Sequence, residues 1–369
     1  MYLRMCCLFC LNTALMCLAG WGPLVFAGSP AAHTERARQA RGGSGSAADD
    51  KEAYAALRKW GVDLTTTGKD GGLWITSADF SHSFHWADDS ELKKYVAGLR
   101  YIESLNLKRT NVTDAGLRAL GGLKTLRSLG LESTDITDDG LRGFAQLVNL
   151  RSLNLERTGI TDIGVKTLAR FQQLRSLNLS GAQLTDAGLR TVGRLRHLQS
   201  LNLSSTGITD DGLKELGDLD KLDKLNLSWT KTTGSGLRHL DKLKVLHTLN
   251  VSATRVSDAD AKYLRVFTNL KELHINRLTD TGVLEVKKLR NLHTLDLSDS
   301  GITDAGLKEL RDLKDLRVLD LTGTNVTRAG LKELKALKQL RHLLLGEVEL
   351  TDTDIADLRK TFSGVTIYR

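Results

Sequence analysis

Leucine returns along this chain at a fixed interval of 24 residues. A repeat of this length predicts a stack of similar units, each of which buries its apolar side chains against its neighbours. Ile102 begins the series, and Leu292 follows its predecessor after 22 residues instead of 24, which gives eleven units with one irregular interval. The other positions of the series are Leu126, Leu150, Leu174, Leu198, Leu222, Leu246, Leu270, Leu316 and Leu340.

The unit that begins at Leu198 shows what each repeat is expected to form. Leu201 and Leu203 are two residues apart, which places both on one face of a strand. Leu213 and Leu216 are three apart, which suits one face of a short helix or 3₁₀ segment. The pattern therefore predicts a curved α/β solenoid, with parallel strands on its concave face and short helices on its convex face.

A Thr-Asp pair precedes most of the predicted helices. In the same unit, Thr209 is placed to cap the helix, and Asp210 lies at the positive end of the helix dipole. A capping role accounts for these pairs without any catalytic chemistry. The pair recurs at Thr113-Asp114, Thr137-Asp138, Thr161-Asp162, Thr185-Asp186, Thr279-Asp280, Thr303-Asp304 and Thr351-Asp352.

The pattern LxxLxLxxTxITDxGLxxL, written by residues 198–216, resembles the leucine-rich-repeat family. It is most like the 24-residue "ITDxGL" subclass, of the ribonuclease-inhibitor-like or F-box-associated type, in the form found in secreted bacterial proteins. The resemblance extends from residue 102 to about residue 360. It implies a leucine-rich-repeat solenoid that binds another macromolecule, because the family shares a scaffold and not a reaction. No F-box-like segment is apparent upstream, so a ubiquitin-ligase role is not expected.

Threonine takes the loop position at which many members of this family carry asparagine. We expect its hydroxyl group to bond to the loop backbone in each repeat, with Ala182 as an interruption. The positions are Thr110, Thr134, Thr158, Thr206, Thr230, Thr254 and Thr324.

The first 27 residues have the composition of a secretory signal peptide. Arg4 is their one charged residue, the stretch from Met5 to Ala27 is strongly apolar, and cleavage is expected after Ala27. An uncleaved membrane anchor is the alternative, because the apolar stretch is about long enough to span a bilayer. The predicted location is secreted, periplasmic or on the cell envelope, with membrane contact only if the leader is retained.

The remaining chain divides by composition and by regularity. A segment with almost no large apolar residue is expected to be a flexible linker. Caps are expected at both ends of the array, because the terminal units would otherwise expose leucines. The predicted parts are a signal peptide at 1–27, the linker at 28–50, an N-terminal cap with a divergent first repeat at 51–101, the repeat array at 102–360 and a C-terminal cap strand at 361–369.

Charge and cysteine content exclude several functions. The formal net charge is +8, but bases and acids alternate, so a nucleic-acid partner is not expected. All four cysteines lie within residues 1–27, so a chain from which this leader is removed has no disulfide, thiol nucleophile or thiolate metal site. Arg127, Arg151 and Arg175 precede successive predicted strands, and we interpret them as a solvated edge of little energetic value rather than a docking edge.

No catalytic, cofactor-binding or metal-binding residue is predicted. The GxxxxGK[ST], GxSxG and HExxH motifs are absent from the sequence. His82, His85, Asp88 and Asp89 invite a metal interpretation, but their spacing is unspecific, and a fortuitous group is favoured.

The concave face is predicted to be a floor of small polar side chains. Asn202, Asn226 and Asn250 lie in the middle of this floor. One interpretation is a solvated sheet, and the other is a hydrogen-bonding floor for a peptide or a glycan.

Binding specificity is expected where the repeat is broken. Trp229 replaces the small residue of other units, and its unit also carries Lys231. The 22-residue unit is expected to bring His274 and Arg277 to the same rim, with His247 one unit earlier. Binding energy at interfaces concentrates in Trp, Tyr and Arg. The sequence therefore predicts a partner-binding patch around these residues.

Together these features favour a non-catalytic, extracytoplasmic binding or scaffold protein, without a cofactor, that interacts with a protein partner through its repeat surface. The alternatives are a structural element of the cell envelope and a glycan-binding module.

Overall fold

The computed structural model describes residues 50–83 and 87–369, and these residues form one continuous sheet. Its fourteen strands follow one another in chain order, with β1 antiparallel to β2 and each later pair parallel. The strands are β1 Asp63–Thr67, β2 Trp74–Asp79, β3 Ser104–Asn106, β4 Ser128–Gly130, β5 Ser152–Asn154, β6 Ser176–Asn178, β7 Ser200–Asn202, β8 Lys224–Asn226, β9 Thr248–Asn250, β10 Glu272–His274, β11 Thr294–Asp296, β12 Val318–Asp320, β13 His342–Leu344 and β14 Thr366–Tyr368.

Short helices alternate with the parallel strands, and this alternation confirms the predicted solenoid. Among the described residues, no helix is long and apolar enough to cross a membrane. The α-helices are α1 Lys51–Lys59, α2 Asp89–Glu91, α3 Asp114–Ala119, α4 Asp138–Gly143, α5 Asp162–Val165, α6 Asp186–Val192, α7 Asp210–Leu213, α8 Gly234–Leu237, α9 Asp280–Val286, α10 Asp304–Glu309, α11 Arg328–Leu331 and α12 Asp352–Thr361. The 3₁₀ helices are Lys69–Gly71, Leu120–Gly122, Lys166–Arg170, Lys214–Leu216, Arg238–Leu240, Ala261–Val266, Leu310–Asp312 and Lys332–Ala336, and Leu92–Val96 is a π-helical turn.

The core lies between the strands and the helices. Leu201 and Leu203 of the strand segment and Leu213 and Leu216 of the helical segment are all fully buried. Burial of each such side chain contributes roughly 1.5–3 kcal/mol. Because the same positions are buried in repeat after repeat, the leucine series forms one core along the array.

The predicted threonine hydroxyl series is confirmed. In each repeat that carries it, the Oγ1 atom donates to the carbonyl oxygen three residues earlier, at 2.6–2.7 Å. Thr206, for example, donates to Leu203. This bond closes the turn that leads the chain from strand to helix.

One residue of this turn has a left-handed backbone in nearly every repeat. Trp229, for example, has φ 59°, and its amide donates to the Ser252 carbonyl at 3.0 Å. Side chains other than glycine carry a steric cost there. The equivalent positions are Arg109, Ser133, Arg157, Gly181, Ser205, Ala253, Arg277, Asp299, Gly323 and Glu347.

Apart from Thr351-Asp352, which only caps its helix, the Thr-Asp pairs both cap a helix and join neighbouring repeats. The threonine hydroxyl accepts from the second amide of its own helix, as predicted; Thr161 does so from Ile163. Its own amide and hydroxyl donate to the aspartate of the preceding repeat: Thr161 N to Asp138 Oδ1 at 2.9 Å and Thr161 Oγ1 to Asp138 Oδ2 at 2.6 Å. We call this pair of bonds a latch. The described residues contain nine latches: Asp89–Thr113, Asp114–Thr137, Asp138–Thr161, Asp162–Thr185, Asp186–Thr209, Asp210–Thr233, Asp258–Thr279, Asp280–Thr303 and Asp304–Thr327.

A glycine makes room for each latch. A Cβ atom on Gly164 would lie 2.1 Å from Asp138 Oδ1, which is closer than atoms can approach. The "ITDxGL" pattern therefore encodes a contact between repeats as well as a helix start.

Both ends of the array are closed by irregular elements. At the N-terminal end, α1, β1 and β2 lie within the residues of the predicted cap, and β1 pairs with β2. At the C-terminal end, β14 pairs with β13. The predicted signal peptide at 1–27 and residues 28–49 of the predicted linker lie outside the described residues.

Candidate functional site

Trp229 lies at the edge of the sheet where the parallel strands end, which we call the exit rim. It is 68% exposed, the highest value among the exposed large apolar side chains of the described residues. The equivalent positions in the adjacent repeats are Ser205 and Ala253, whose small side chains leave the indole uncovered on both sides.

Three cationic side chains lie on the exit rim close to Trp229 in the repeat order. Lys231 follows Trp229 by two residues, Arg255 is its equivalent in the next repeat, and Arg277 lies one repeat further. All three are exposed. Arg277 Nη1 donates to the Thr254 carbonyl at 3.5 Å, which directs its guanidinium back toward the preceding repeat. The sequence reasoning missed Arg255, because its position in the repeat is variable and no pattern singles it out.

The two-residue deletion is accommodated within the turn after β10. Arg277 keeps the left-handed backbone, and Thr279 still caps its helix and is latched to Asp258 at 2.9 and 2.5 Å. The deletion removes the pair that corresponds to Thr254 and Arg255 in the preceding repeat. The turn is therefore shortened without loss of the connection to the neighbouring repeat.

The latch series is interrupted beside Trp229. Gly234 replaces the aspartate that would bond to the next repeat, and Asp260 replaces the glycine that would make room for it. Asp260 Oδ2 instead accepts from the amide and hydroxyl of Ser257 in its own repeat, at 3.0 and 2.8 Å. The array therefore contains two latched blocks, an N-terminal block from Asp89 to Thr233 and a C-terminal block from Asp258 to Thr327.

His247 does not lie on the exit rim. It immediately precedes β9, so it is at the opposite edge of the sheet, the entrance edge, where the parallel strands begin. Its Nδ1 atom makes a short contact with a carboxylate oxygen of Asp223, the equivalent residue one repeat earlier. The structure thus separates His247 from Trp229 and Arg277 by the width of the sheet.

His274 is buried within the sheet face that points away from the core, which we call the open face. It is 2% exposed, and its Nδ1 atom lies 3.2 Å from Asp296 Oδ2 on the next strand. Asp320 occupies the same position one strand further. Among the described residues, Nε2 of His274 has no hydrogen-bond partner. His274 is therefore part of a buried polar cluster and not of the exposed rim.

The pKa values of the two carboxyl groups in this cluster are shifted in opposite directions. Burial, and then the charge of Asp296, raise the pKa of Asp320 to about 7. Burial also acts to raise the pKa of Asp296, but the hydrogen bond and charge of His274 hold that pKa below its ordinary value. Adjacent carboxylates disfavour simultaneous ionisation, and here the histidine decides which one keeps its charge.

The asparagines of the predicted floor already serve the fold. Asn226 and Asn250 are buried, and Asn202 is half-buried. The Oδ1 atom of each accepts the amide two residues later, at 2.9–3.0 Å, where the strand ends. The predicted role of these three residues in partner binding stays a prediction, and their acceptor oxygens are engaged within the protein.

The residues of the metal interpretation are separated in the structure. Asp88 caps α2, and Asp89 is latched to Thr113. His85 lies outside the described residues, and within them no group of three or more His, Cys, Asp or Glu residues is placed to hold a metal ion.

Comparison with known families gives two matches, which together cover more than half of the chain. A model described as a leucine-rich repeat region matches residues 149–305, and a leucine-rich repeat model matches residues 98–121 and 122–145. No curated protein matches this sequence significantly.

Solved structures share the fold at low sequence identity. An internalin from Listeria monocytogenes has a TM-score of 0.57 and 20% identity, over 86% of this chain and 93% of that chain. A leucine-rich-repeat protein of Leptospira interrogans has a TM-score of 0.49 and 20% identity, over 75% of this chain and 80% of its own. The internalin shares the fold, and the family matches, together with the repeat geometry, identify this chain as a member of the leucine-rich-repeat proteins.

Proposed function

We propose that this protein is a non-catalytic, extracytoplasmic scaffold that binds a protein partner at the exit rim around Trp229. The observation that carries the proposal is the exposure of a tryptophan at a position where the adjacent repeats have serine and alanine. An aromatic side chain of this size dominates the binding energy of many interfaces once the partner buries it, and tryptophan is enriched among such hot spots.

The backbone at Trp229 strengthens the proposal. Position 229 has φ 59°, a conformation that bulky residues rarely adopt. Glycine occupies the equivalent position at Gly181 and Gly323 without that cost. A tryptophan there neither packs in the core nor relieves backbone strain, and binding is the role that its exposed indole supports.

Lys231, Arg255 and Arg277 add directed donors around this anchor. The guanidinium group of arginine binds carboxylates through paired hydrogen bonds, and arginine is also enriched in hot spots. The sequence of aromatic and cationic side chains along successive repeats suits a partner that lies across several strands.

The test is site-specific photo-crosslinking in the native host. A benzoyl-phenylalanine at position 229 keeps an aromatic side chain and should crosslink to one protein. Position 133 is the matched control, because Ser133 has the same left-handed backbone (φ 55°) four repeats earlier. Equal crosslinking at both positions, or none at 229, contradicts the proposal, and a polysaccharide adduct at 229 supports the glycan-binding alternative.

The extracytoplasmic part of the proposal has its own test. Cell fractionation followed by N-terminal sequencing is expected to find the protein outside the cytoplasm, beginning at Gly28. A cytoplasmic protein that retains Met1 would contradict it.

A further inference from the structure

The entrance edge of the sheet carries a run of bases in the C-terminal part of the array. Lys271, His293, Arg317 and Arg341 each immediately precede a strand, from β10 to β13. Their backbones bond directly: His293 N donates to Lys271 O at 2.7 Å, Arg317 N to His293 O at 2.7 Å and Arg341 N to Arg317 O at 2.8 Å. We call these four residues the basic ladder.

The spacing of the ladder is set by the sheet. Neighbouring strands lie about 4.8 Å apart, so four rungs extend over roughly 14 Å. Lys271, Arg317 and Arg341 are exposed, and His293 is half-buried between Lys271 and Arg317. The ladder therefore presents a regularly spaced row of basic side chains, whose backbones are joined by hydrogen bonds.

The acids of the adjacent helical segments do not compensate this row, because they pair on the helical side. Glu309 pairs with Lys287 at 2.6 Å, and Glu333 pairs with Arg311 at 3.5 Å. The four ladder side chains form no ion pair within the described residues. Three more exposed bases, Arg290, Lys314 and Lys338, each precede a ladder residue by three positions, whereas Asp315 is the acidic residue in these loops.

The pKa of His293 responds to the charges of its neighbours in the ladder. Burial, and then the charges of Arg317 and Lys271, lower its pKa, while Asp315 acts in the opposite direction. Two other basic residues of the same edge are paired: Arg127 with Glu103 at 3.5 Å, and His247 with Asp223.

From this geometry we propose that the basic ladder binds an acidic protein segment in extended conformation, at a surface separate from the Trp229 rim. An extended chain rises about 3.3 Å per residue, so about five residues cover the four rungs. Carboxylates on alternate residues, about 6.6 Å apart, would place three acids along this row. Nucleic acid is less suited, because single-strand binders stack bases on exposed aromatic side chains, and the ladder positions contain none.

The binding test uses the full-length chain and a fluorescein-labelled, glutamate-rich peptide, read by fluorescence anisotropy. The Lys271→Glu, Arg317→Glu double variant is expected to weaken binding about tenfold, since two attractions become repulsions. The matched control, Lys332→Glu with Lys335→Glu, makes the same change in net charge on the helical side of neighbouring repeats and should alter binding less than twofold. Trp229→Gly should leave peptide binding unchanged.

A second readout follows the imidazole of His293 by NMR. Bound carboxylates should raise the pKa of His293 toward or above its ordinary value, and a His293→Gln variant assigns the signal. The proposal is overturned if both double variants weaken binding equally, if the peptide leaves the His293 titration unchanged, or if an oligothymidylate of equal charge binds more tightly than the peptide through Lys271 and Arg317.

Discussion

The two latched blocks are built from the same repeat but differ in one column of the open face, formed by the last residue of each strand. In the N-terminal block this column holds neutral asparagines such as Asn154 and Asn202, whose Oδ1 atoms accept a backbone amide at the end of each strand. In the C-terminal block it holds His274, Asp296 and Asp320. Asp296 and Asp320 accept the same type of backbone bond, from Ser298 and Thr322 at 2.9 and 2.8 Å.

The hydrogen bond at the end of the strand therefore does not require a neutral side chain. Aspartate supplies the same acceptor oxygen as asparagine, but burial then makes its charge costly. The fold is conserved across the blocks, while sensitivity to pH is expected to concentrate in the C-terminal one.

The largest effect is expected for the pH dependence of stability. The pKa of Asp320 is about 7 in the folded chain and near 3.8 when unfolded, so the folded chain holds a proton that the unfolded chain releases between these values. Stability from this group is therefore present at low pH and lost as pH rises toward 7. Between pH 5 and pH 8 the free energy of unfolding should fall by about 3 kcal/mol more in the wild type than in Asp320→Asn. Urea denaturation at both pH values measures this difference, and identical pH profiles would contradict it.

The next effect tests the latches themselves. Asp138→Ala removes two hydrogen bonds to Thr161 and should lower the free energy of unfolding by about 2 kcal/mol. The adjacent Asp139→Ala variant removes only an exposed pair with Arg142 and should cause no measurable change. Equal losses in the two variants would show that the latch contributes nothing beyond a surface charge.

A third experiment restores the missing latch between the blocks. Gly234→Asp alone should cost roughly 1–3 kcal/mol, because its Cβ atom would lie 2.3 Å from Cβ of Asp260. Adding Asp260→Gly and Ser257→Thr recreates the regular pattern and should recover at least the whole loss, as measured by urea denaturation. If the triple variant is no more stable than the single one, the exchange of aspartate and glycine between these repeats is not what interrupts the series.

The smallest effect concerns Trp229, beside the seam, which is the junction of the two blocks where Gly234 and Asp260 interrupt the latches. This experiment distinguishes a role of the indole in binding from a role in folding. Trp229→Gly relieves a left-handed tryptophan and should raise the free energy of unfolding by up to about 1 kcal/mol. Ser133→Gly is the control and should behave similarly. Partner capture should be lost only in the tryptophan variant, and a destabilised Trp229→Gly protein would show that the indole is needed for packing.

Regular features of the fold were predictable because each depends on residues close in sequence. Leu201 and Leu203 define a strand face, and the Thr206 hydroxyl finds its acceptor three residues away. The second function of Asp138 was missed because its partner, Thr161, is 23 residues distant, and no local rule indicates that contact.

The candidate site was predictable only in part. Trp229, Lys231 and Arg277 were found because they depart from the repeat, and the structure places them on one rim. His247 was assigned to the same patch although it precedes its strand, and His274 was assigned to the rim although it is buried in the open face. The basic ladder escaped notice because its significance lies in the acids that pair elsewhere, such as Glu309 and Glu333.

The exchange of aspartate and glycine at Gly234 and Asp260 also limits how this array can be lengthened or shortened. A repeat with aspartate in the glycine position cannot follow one that carries the latching aspartate, because the two carboxylates would occupy the same space. Duplication or deletion of whole repeats is thus compatible with the fold inside either block, away from the two repeats that carry Gly234 and Asp260, whereas recombination across the seam must move both residues together. Hybrid arrays that are joined at the seam should therefore keep Gly234 and Asp260 together as a matched pair.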